Sequence, residues 1–279
     1  MKKISKTIGL ALGGGGVRGL AHIPVLEALD ELELKPAVIA GTSMGAIIGA
    51  LYASGMSGRQ IRKLVKSHII SKDDTWREVL DKKTELLMWV DSFLPGWGRG
   101  GLVSADRFFR YLFDEICKTT FEELEIPLVV IATDFWEARE VIFERGELLP
   151  ALQASMAVPG VFTPVSFEGK VLVDGGAVNL VPYDHLIDRC DLTIAVNVGR
   201  DRIGEKTEVP SVIESILGTF DIMQSVVLEQ RMKYRAPDVY LRPRIKSVRM
   251  LDFGKMDEIF EQSEPVKELL KNRILEKIR

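Results

Sequence analysis

Ser43 lies in the segment best suited to chemistry. Gly41-Thr42-Ser43-Met44-Gly45 fits the G-x-S-x-G nucleophile elbow, in which a serine occupies a sharp turn between a strand and a helix. The two glycines permit strand and helix to approach each other closely. A helix that begins here would direct its first N–H groups toward a developing oxyanion. The segment therefore predicts a nucleophilic serine, although this pattern is common on its own.

The same stretch also allows a transmembrane interpretation. No charged residue occurs from Ala37 to Gly58, a length that can cross a bilayer. Gly41, Gly45 and Gly49 have the spacing of small residues in packed transmembrane helices. The β-type beginning of the run and Pro36 ahead of it are more typical of a buried strand followed by a helix. We therefore expect a βα unit.

A carboxylate at position 174 is the strongest candidate for the base that activates Ser43. The apolar run Val171 to Val173 predicts a strand that delivers Asp174 to its end, and Gly175-Gly176 allow the chain to turn there. Partial burial would raise the pKa of this carboxyl group and make proton abstraction from serine less unfavourable. The sequence therefore predicts a Ser43–Asp174 dyad.

The three histidines are the alternative source of a base. In α/β-hydrolases the triad runs in the order Ser, Asp or Glu, His along the chain. His22 precedes Ser43, and His68 lies in a segment without strand-like runs. His185 follows Asp174 closely, inside a predicted helix. None has the expected position in a loop near the chain end, so we favour the aspartate.

A glycine-rich loop follows the first predicted strand, Thr7 to Leu12, and precedes a helix. Gly14, Gly16 and Gly19 match G-x-G-x-x-G, which in this context indicates dinucleotide binding. The second predicted strand ends at Ser43 without the acidic residue that would bind a ribose, and no Gly-Lys-Ser/Thr follows the loop as in a P-loop. A Rossmann-type dinucleotide-binding protein is therefore the alternative function.

An oxyanion hole is the other use for this loop. If the first two strands are parallel neighbours, Gly14, Gly15 and Gly16 lie beside the nucleophile. Loop N–H groups and that of Met44 could then bind the oxygen of a tetrahedral intermediate, and losing one such donor typically costs about 3 kcal/mol. Arg18 could orient the loop or add positive charge, and a surface salt bridge is the simpler role for it.

The rest of the chain alternates strands with helices, which predicts an α/β fold with a mainly parallel sheet and helices on both faces. The 279 residues suit a single domain, and their 46% hydrophobic and 28% charged content is ordinary for a globular protein. A net charge of −3 gives no indication of nucleic-acid binding. Further strands are expected at Pro127–Thr133, Glu140–Phe143, Lys170–Val173, Leu192–Val198 and Asp238–Leu241, and helices at Leu148–Met156, Val212–Tyr234 and from Asp257 to the end.

Residues 56 to 118 carry no strand-like run, which predicts a helical, lid-like insertion. Within it, Leu86 to Trp97 is dense in large apolar side chains. They would fill a helical subdomain, cover an apolar site as a lid, or contact a membrane. The basic amino terminus lacks a long apolar core and a cleavage site, so we expect a cytoplasmic protein, with peripheral membrane contact as an option.

Taken together, the motifs resemble those of patatin-like phospholipases, in particular the small bacterial members. Gly14 to Gly19, Gly41 to Gly45 and Asp174-Gly175-Gly176 occur in the order of the family's three motifs. Ser155 to Pro164 resembles the proline-containing block before the Asp-Gly motif. Each motif is weak alone, but their order and spacing are specific.

The resemblance implies a patatin-like three-layer α/β sandwich that hydrolyses acyl esters of phospholipids or related lipids without a metal or cofactor. By position it makes Ser43 the nucleophile and Asp174 the base, and the glycine loop with Arg18 forms the oxyanion hole. Pro24 stands where the family often has glycine, which implies a bent helix. A non-catalytic lipid-binding protein on the same scaffold is the remaining alternative.

Overall fold

A mixed eight-stranded sheet forms the centre of the fold in the computed structural model, which describes residues 6–68, 115–200, 209–210 and 212–278. The strands are β1 (Ile8–Leu12), β2 (Val38–Thr42), β3 (Leu128–Asp134), β4 (Arg139–Phe143), β5 (Val165–Phe167), β6 (Lys170–Asp174), β7 (Leu192–Val196) and β8 (Val239–Leu241). Parallel pairing joins β3, β2, β1, β7 and β8 in that order. Antiparallel pairs join β4 and β6 to β3, and β5 to β6.

Helices lie against both faces of this sheet. Alternate residues of β1 face two different cores: Leu10 and Leu12 join a large cluster, whereas Ala11 joins a smaller one with Tyr183 and Leu228. The sheet is therefore the middle layer of three, as the predicted α/β sandwich requires. The helices of the described residues are α1 (His22–Glu31), α2 (Met44–Ala53), α3 (Gly58–His68), α4 (Leu148–Ser155), α5 (Val212–Tyr234), α6 (Met256–Ser263) and α7 (Val266–Ile278).

The stretch from Ala37 to Gly58 forms β2, a turn at Ser43 and α2, followed by the beginning of α3. This is the predicted βα unit. Among the described residues, no helix combines the length and the apolar character that a bilayer span requires. The transmembrane interpretation of this stretch is therefore wrong.

Two helix predictions need correction. Pro24 was expected to bend a helix, but a 3-10 segment covers Gly16–Ala21 and α1 begins only at His22, so Pro24 lies in the first turn, where its missing N–H is not needed. The single helix expected after Asp257 is two helices, α6 and α7, separated around Pro265. The segment from Leu86 to Trp97, predicted to form a lid or a contact surface, lies outside the described residues.

Candidate active site

Ser43 occupies a strained turn between β2 and α2. Its φ of 55° and ψ of −127° are unusual for a residue with a side chain, and such conformations cost about 1–3 kcal/mol. Gly45 makes the turn possible, because a Cβ there would lie 2.0 Å from the Leu12 carbonyl oxygen. The turn therefore has the backbone geometry that the G-x-S-x-G motif predicts.

Strand register brings the ends of β2 and β6 together. Along one edge of β3, β4 pairs with residues Val130 to Asp134. The other edge is shared by β2, which places Thr42 opposite Ile131, and by β6, which places Asp174 opposite Ala132. Because β2 runs parallel and β6 antiparallel to β3, their carboxyl ends meet. Ser43 follows Thr42 directly, so the sheet itself places the serine next to the aspartate.

Asp174 is buried, and burial raises the pKa of its carboxyl group to about 6. The nearby Ser43 hydroxyl and the Gly176 N–H oppose this rise in the pKa. Oδ1 accepts the Gly176 N–H at 2.7 Å, whereas Oδ2 has no hydrogen-bond partner among the described residues. The Ser43 hydroxyl lies 3.6 Å from the Met156 sulfur. The carboxylate thus keeps one oxygen available for a proton.

The last residue of α4 and the segment that follows it support both Ser43 and Asp174. The Ser155 hydroxyl accepts the Ser43 N–H at 2.8 Å, and the Ala157 carbonyl accepts the Asp174 N–H at 3.0 Å. Ser155 is fully buried, so this contact is shielded from water. In the sequence, the segment around Ser155 stands out only because it resembles a family block. Its physical role here is to fix the backbone on both sides of the predicted dyad.

The glycine loop after β1 is held by its own backbone. The Gly14 N–H donates to the Leu180 carbonyl at 3.0 Å, and the Val17 N–H donates to the Met250 carbonyl at 2.9 Å. Gly16 has a φ of 60°. No described residue accepts a hydrogen bond from the N–H groups of Gly15, Gly16 or Met44. These three amides are among the donors that the loop and the α2 terminus can offer to a ligand.

The prediction that Gly14 belongs to an oxyanion hole has to be restricted. Its N–H is already used by the Leu180 carbonyl, so it is not an available donor in this conformation. Gly14 contributes space instead, because a Cβ at this position would lie 3.2 Å from the Ser43 Cβ. The absence of a side chain keeps the loop close to the serine.

Arg18 is buried and forms an ion pair with Asp221 of α5, with its Nη2 atom 2.9 Å and 3.1 Å from the two carboxylate oxygens. Its Nε donates to the Gly15 carbonyl at 3.1 Å. A trans peptide points its C=O and N–H in opposite directions, so this bond fixes the direction of the Gly16 N–H. Of the three predicted roles, these contacts are those of a residue that orients the loop, and the ion pair is buried instead of lying at the surface.

His22 lies beneath the same loop and is fully buried. Its Nε2 is 2.8 Å from the Gly13 carbonyl oxygen, which can only accept, so Nε2 carries the proton. Burial lowers the pKa of His22 to about 4, and the bond to Gly13 opposes this effect. Its Nε2 therefore serves the loop backbone, and Nδ1 has no hydrogen-bond partner among the described residues, the Ser43 hydroxyl included.

His185 belongs to a separate polar cluster. Its Nε2 is 2.9 Å from Glu140 Oε1, a hydrogen bond that raises the pKa of His185. Glu140, Asp184 and His185 are close enough to hold a cation together, but Asp184 is already paired with Arg231 at 2.9 Å. The Asn179 side-chain amide donates to both carboxylates at 2.9 Å, and the Asn179 backbone carbonyl accepts the Thr42 hydroxyl. The charges of this cluster are therefore balanced by protein groups.

A sheet between two helical layers, with a serine in the turn after a parallel strand, defines the chain as an α/β protein of the nucleophile-elbow class. Comparison with known proteins narrows this class. The chain belongs to the patatin-like phospholipase family, whose sequence model matches residues 10–187. The predicted family is thereby confirmed.

Relatives of this chain carry names from one group. An uncharacterised NTE family protein of Mycobacterium tuberculosis (strain H37Rv) is 34% identical over 201 residues, which cover 72% of this chain and 51% of the relative. A lysophospholipase NTE1 of Pyricularia oryzae is 29% identical over 279 residues, which cover 92% of this chain and 18% of the relative. The chain thus spans about half of the first relative and less than a fifth of the second.

Two solved bacterial proteins are similar in structure. VipD from Legionella pneumophila has a TM-score of 0.49 and 12% identity, with 96% of this chain and 67% of VipD covered. ExoU from Pseudomonas aeruginosa, solved in complex with SpcU, has a TM-score of 0.49 and 15% identity, with 98% of this chain and 53% of ExoU covered.

Proposed function

We propose that the protein is a serine lipid acyl hydrolase in which Ser43 is the nucleophile and Asp174 the base. The observation that carries the proposal is the strand register, which sets a buried carboxylate, with one unpartnered oxygen among the described residues, beside a strained elbow serine. Membership of the patatin-like phospholipase family supports a lipid ester as substrate. The lysophospholipase name of the fungal relatives supports a phospholipid or lysophospholipid within that class.

The reaction has two steps through an acyl-enzyme. In the first, Ser43 Oγ bonds to the acyl carbonyl carbon while its proton passes to Asp174. The ester C–O bond then breaks, and the leaving alcohol takes that proton. In the second step, water attacks the acyl carbon and gives a proton to Asp174, and Ser43 leaves and recovers it. The same carboxylate thus acts alternately as base and acid.

The environment of Asp174 suits this role. With a pKa of about 6, the carboxylate is about nine-tenths ionised at pH 7 and can still release a proton readily. The N–H groups of Gly15, Gly16 and Met44 are proposed to bind the oxyanion that forms in each step. Arg18 acts on this set through the Gly15 carbonyl, not through contact with the substrate.

A labelling experiment tests the nucleophile. A fluorophosphonate probe should label the wild-type protein at Ser43 and leave Ser43→Ala unlabelled. Asp174→Asn should remain folded and lose turnover of a p-nitrophenyl ester. Robust labelling of Ser43→Ala, or near-normal turnover by Asp174→Asn, would rule out the dyad. Liposome binding without any ester turnover would instead favour a non-catalytic lipid-binding protein, and stabilisation by NAD would favour a dinucleotide-binding one.

We also propose peripheral contact with a lipid surface at the carboxyl edge of the sheet. Phe135 and Trp136 follow β3 at this edge, and the Phe135 N–H bonds the Val171 carbonyl, beyond the Ala132–Asp174 pair. Trp136 is 76% exposed, and its ring stacks edge-to-face on Phe135 at 4.9 Å. Exposed aromatic rings of this kind favour the boundary between lipid and water.

Co-sedimentation with phosphatidylcholine vesicles tests this contact. Phe135→Ser/Trp136→Ser should bind vesicles more weakly while hydrolysing a soluble ester at the wild-type rate. Tyr234→Ser, which removes an even more exposed ring at the end of α5, is the control. Unchanged vesicle binding by the double variant would show that other residues make the contact. Leu86 to Trp97 would then be the next segment to substitute.

A further inference from the structure

Helix α5 carries two buried polar side chains one turn apart, Asp221 and Gln224. Burying a polar group is costly unless it is hydrogen-bonded. Asp221 meets this requirement through its ion pair with Arg18. The Gln224 side chain makes no hydrogen bond with any residue that the structure describes, although Gln224 is only 5% exposed. Its amide is therefore available to a neighbouring acceptor at an inward-facing position of α5.

The side chain of Gln224 ends next to Asp174. A Cβ built on Gly176 would lie 2.2 Å from Gln224 Nε2 and 2.8 Å from Asp174 Oδ1. The amide nitrogen and the carboxylate oxygen therefore flank the same small volume, which stays open because residue 176 is glycine. Gln224 Nε2 and Asp174 Oδ1 are therefore at most about 5.0 Å apart, and the broad terminal torsion of glutamine lets the amide turn toward the carboxylate.

We propose that Gln224 is a positioning residue for Asp174, whose amide donates a hydrogen bond to Oδ1 alongside the Gly176 N–H. The inference rests on the proposed function, because it assigns Asp174 the role of base. With Oδ1 held by two donors, the carboxylate plane is fixed and Oδ2 is the oxygen left to accept the Ser43 proton. Gln224 touches neither the substrate nor the hydroxyl in this arrangement and acts through Asp174.

Helix α5 would then serve both parts of the proposed site. Asp221 holds Arg18, which sets the Gly15–Gly16 peptide, and Gln224 holds the base. Both residues face inward with Leu228, at the three- and four-residue spacing of one helix face. A displacement of α5 would thus disturb the oxyanion loop and the aspartate together.

The pH dependence of turnover tests this role. Gln224→Met keeps the length of the side chain and removes the donor, which makes the ionised carboxylate less favourable. For a soluble p-nitrophenyl ester we expect kcat to fall about tenfold, with KM changed less than about twofold, and the acidic limb of kcat/KM to move up by about 1 pH unit. Gln224→Glu, which adds a second carboxyl group beside the first, should move this limb further in the same direction.

Gln230→Met is the matched control, because Gln230 lies on the exposed side of the same helix. It should leave the pH profile unchanged, and circular dichroism should show all three variants folded. An acidic limb that stays in place in both Gln224 variants would overturn the proposal, whatever the change in rate. That outcome differs from failure of the dyad, which would appear as fluorophosphonate labelling of Ser43→Ala or as activity of Asp174→Asn.

Discussion

Arg18 and Asp221 form a buried ion pair that ties the glycine loop after β1 to helix α5, across 203 positions of the chain. The arginine also holds the Gly15 carbonyl. The pair thus sets the loop peptide whose N–H groups are proposed to bind the oxyanion. Substitutions at its two ends should therefore affect both stability and catalysis.

Removing only the acid is expected to be costly, because it leaves a buried guanidinium without a partner. Asp221→Leu should lower the free energy of unfolding by about 3–5 kcal/mol. Arg18→Met/Asp221→Leu should recover much of this loss and remain catalytically impaired, since Gly15 then lacks its donor. Urea denaturation and ester turnover measure the two effects. A double variant with wild-type kcat would show that Arg18 does not orient the loop.

Two alanine substitutions in the glycine loop should have different effects, one on stability and the other on activity. Gly16→Ala combines a φ of 60° with a Cβ placed 2.3 Å from the Met250 carbonyl oxygen, so it should unfold at markedly lower denaturant concentration. Gly14 has no positive φ of this kind, and the nearest atom to a Cβ added there is the Ser43 Cβ at 3.2 Å. Gly14→Ala should stay folded and lose activity. Equal effects of both changes on the denaturation midpoint would contradict this distinction.

The rate of ester hydrolysis should depend on one acidic ionisation. Because burial raises the pKa of Asp174 to about 6 and the base must be ionised, kcat/KM should fall about tenfold per pH unit below that value and level off above it. A histidine base could give a similar limb, but imidazole ionisation absorbs heat whereas carboxyl ionisation absorbs little. The limb should therefore stay in place when the temperature is raised. A marked downward shift on warming would favour a histidine.

Local patterns were enough to predict the centre of this protein. The elbow around Ser43 and the strand that ends at Asp174 are short, continuous signals, and the predicted α/β layers and family follow from their order. That β1 and β2 are parallel neighbours was also correct. The meeting of β2 and β6 on one edge of β3 was not predictable, because it depends on the pairing of three distant segments.

The supporting residues left weaker signals. Along α5, apolar periodicity suggests which side is buried, yet Ile216 and Met223 are 55% and 61% exposed while Asp221 and Gln224 face inward. A polar residue on a helix normally indicates the solvent side, so sequence patterns misassign this face. Ser155 is similarly inconspicuous in sequence. Such residues can be found only once the groups they contact are known.

Two buried groups should give the stability of this protein opposing dependences on pH. The pKa of Asp174 is higher in the folded chain, about 6 against 3.8, so its contribution is full at low pH and is lost as pH rises toward 6. The pKa of His22 is lower in the folded chain, about 4 against 6.5, so its contribution is full above pH 6.5 and is lost as pH falls toward 4. Between pH 4 and 6 the two effects oppose each other.

Asp174→Asn removes one of these effects and leaves the other. At pH 7 the variant should be more stable than the wild type, by about 2 kcal/mol, because a buried charge is replaced by a neutral group of the same shape. Between pH 6 and 4 it should lose stability more steeply than the wild type, because the His22 contribution is no longer offset. Urea denaturation at several pH values measures both differences. A wild type and variant with parallel pH profiles would show that Asp174 ionises with an ordinary pKa, and the acidic limb of activity would then need another origin.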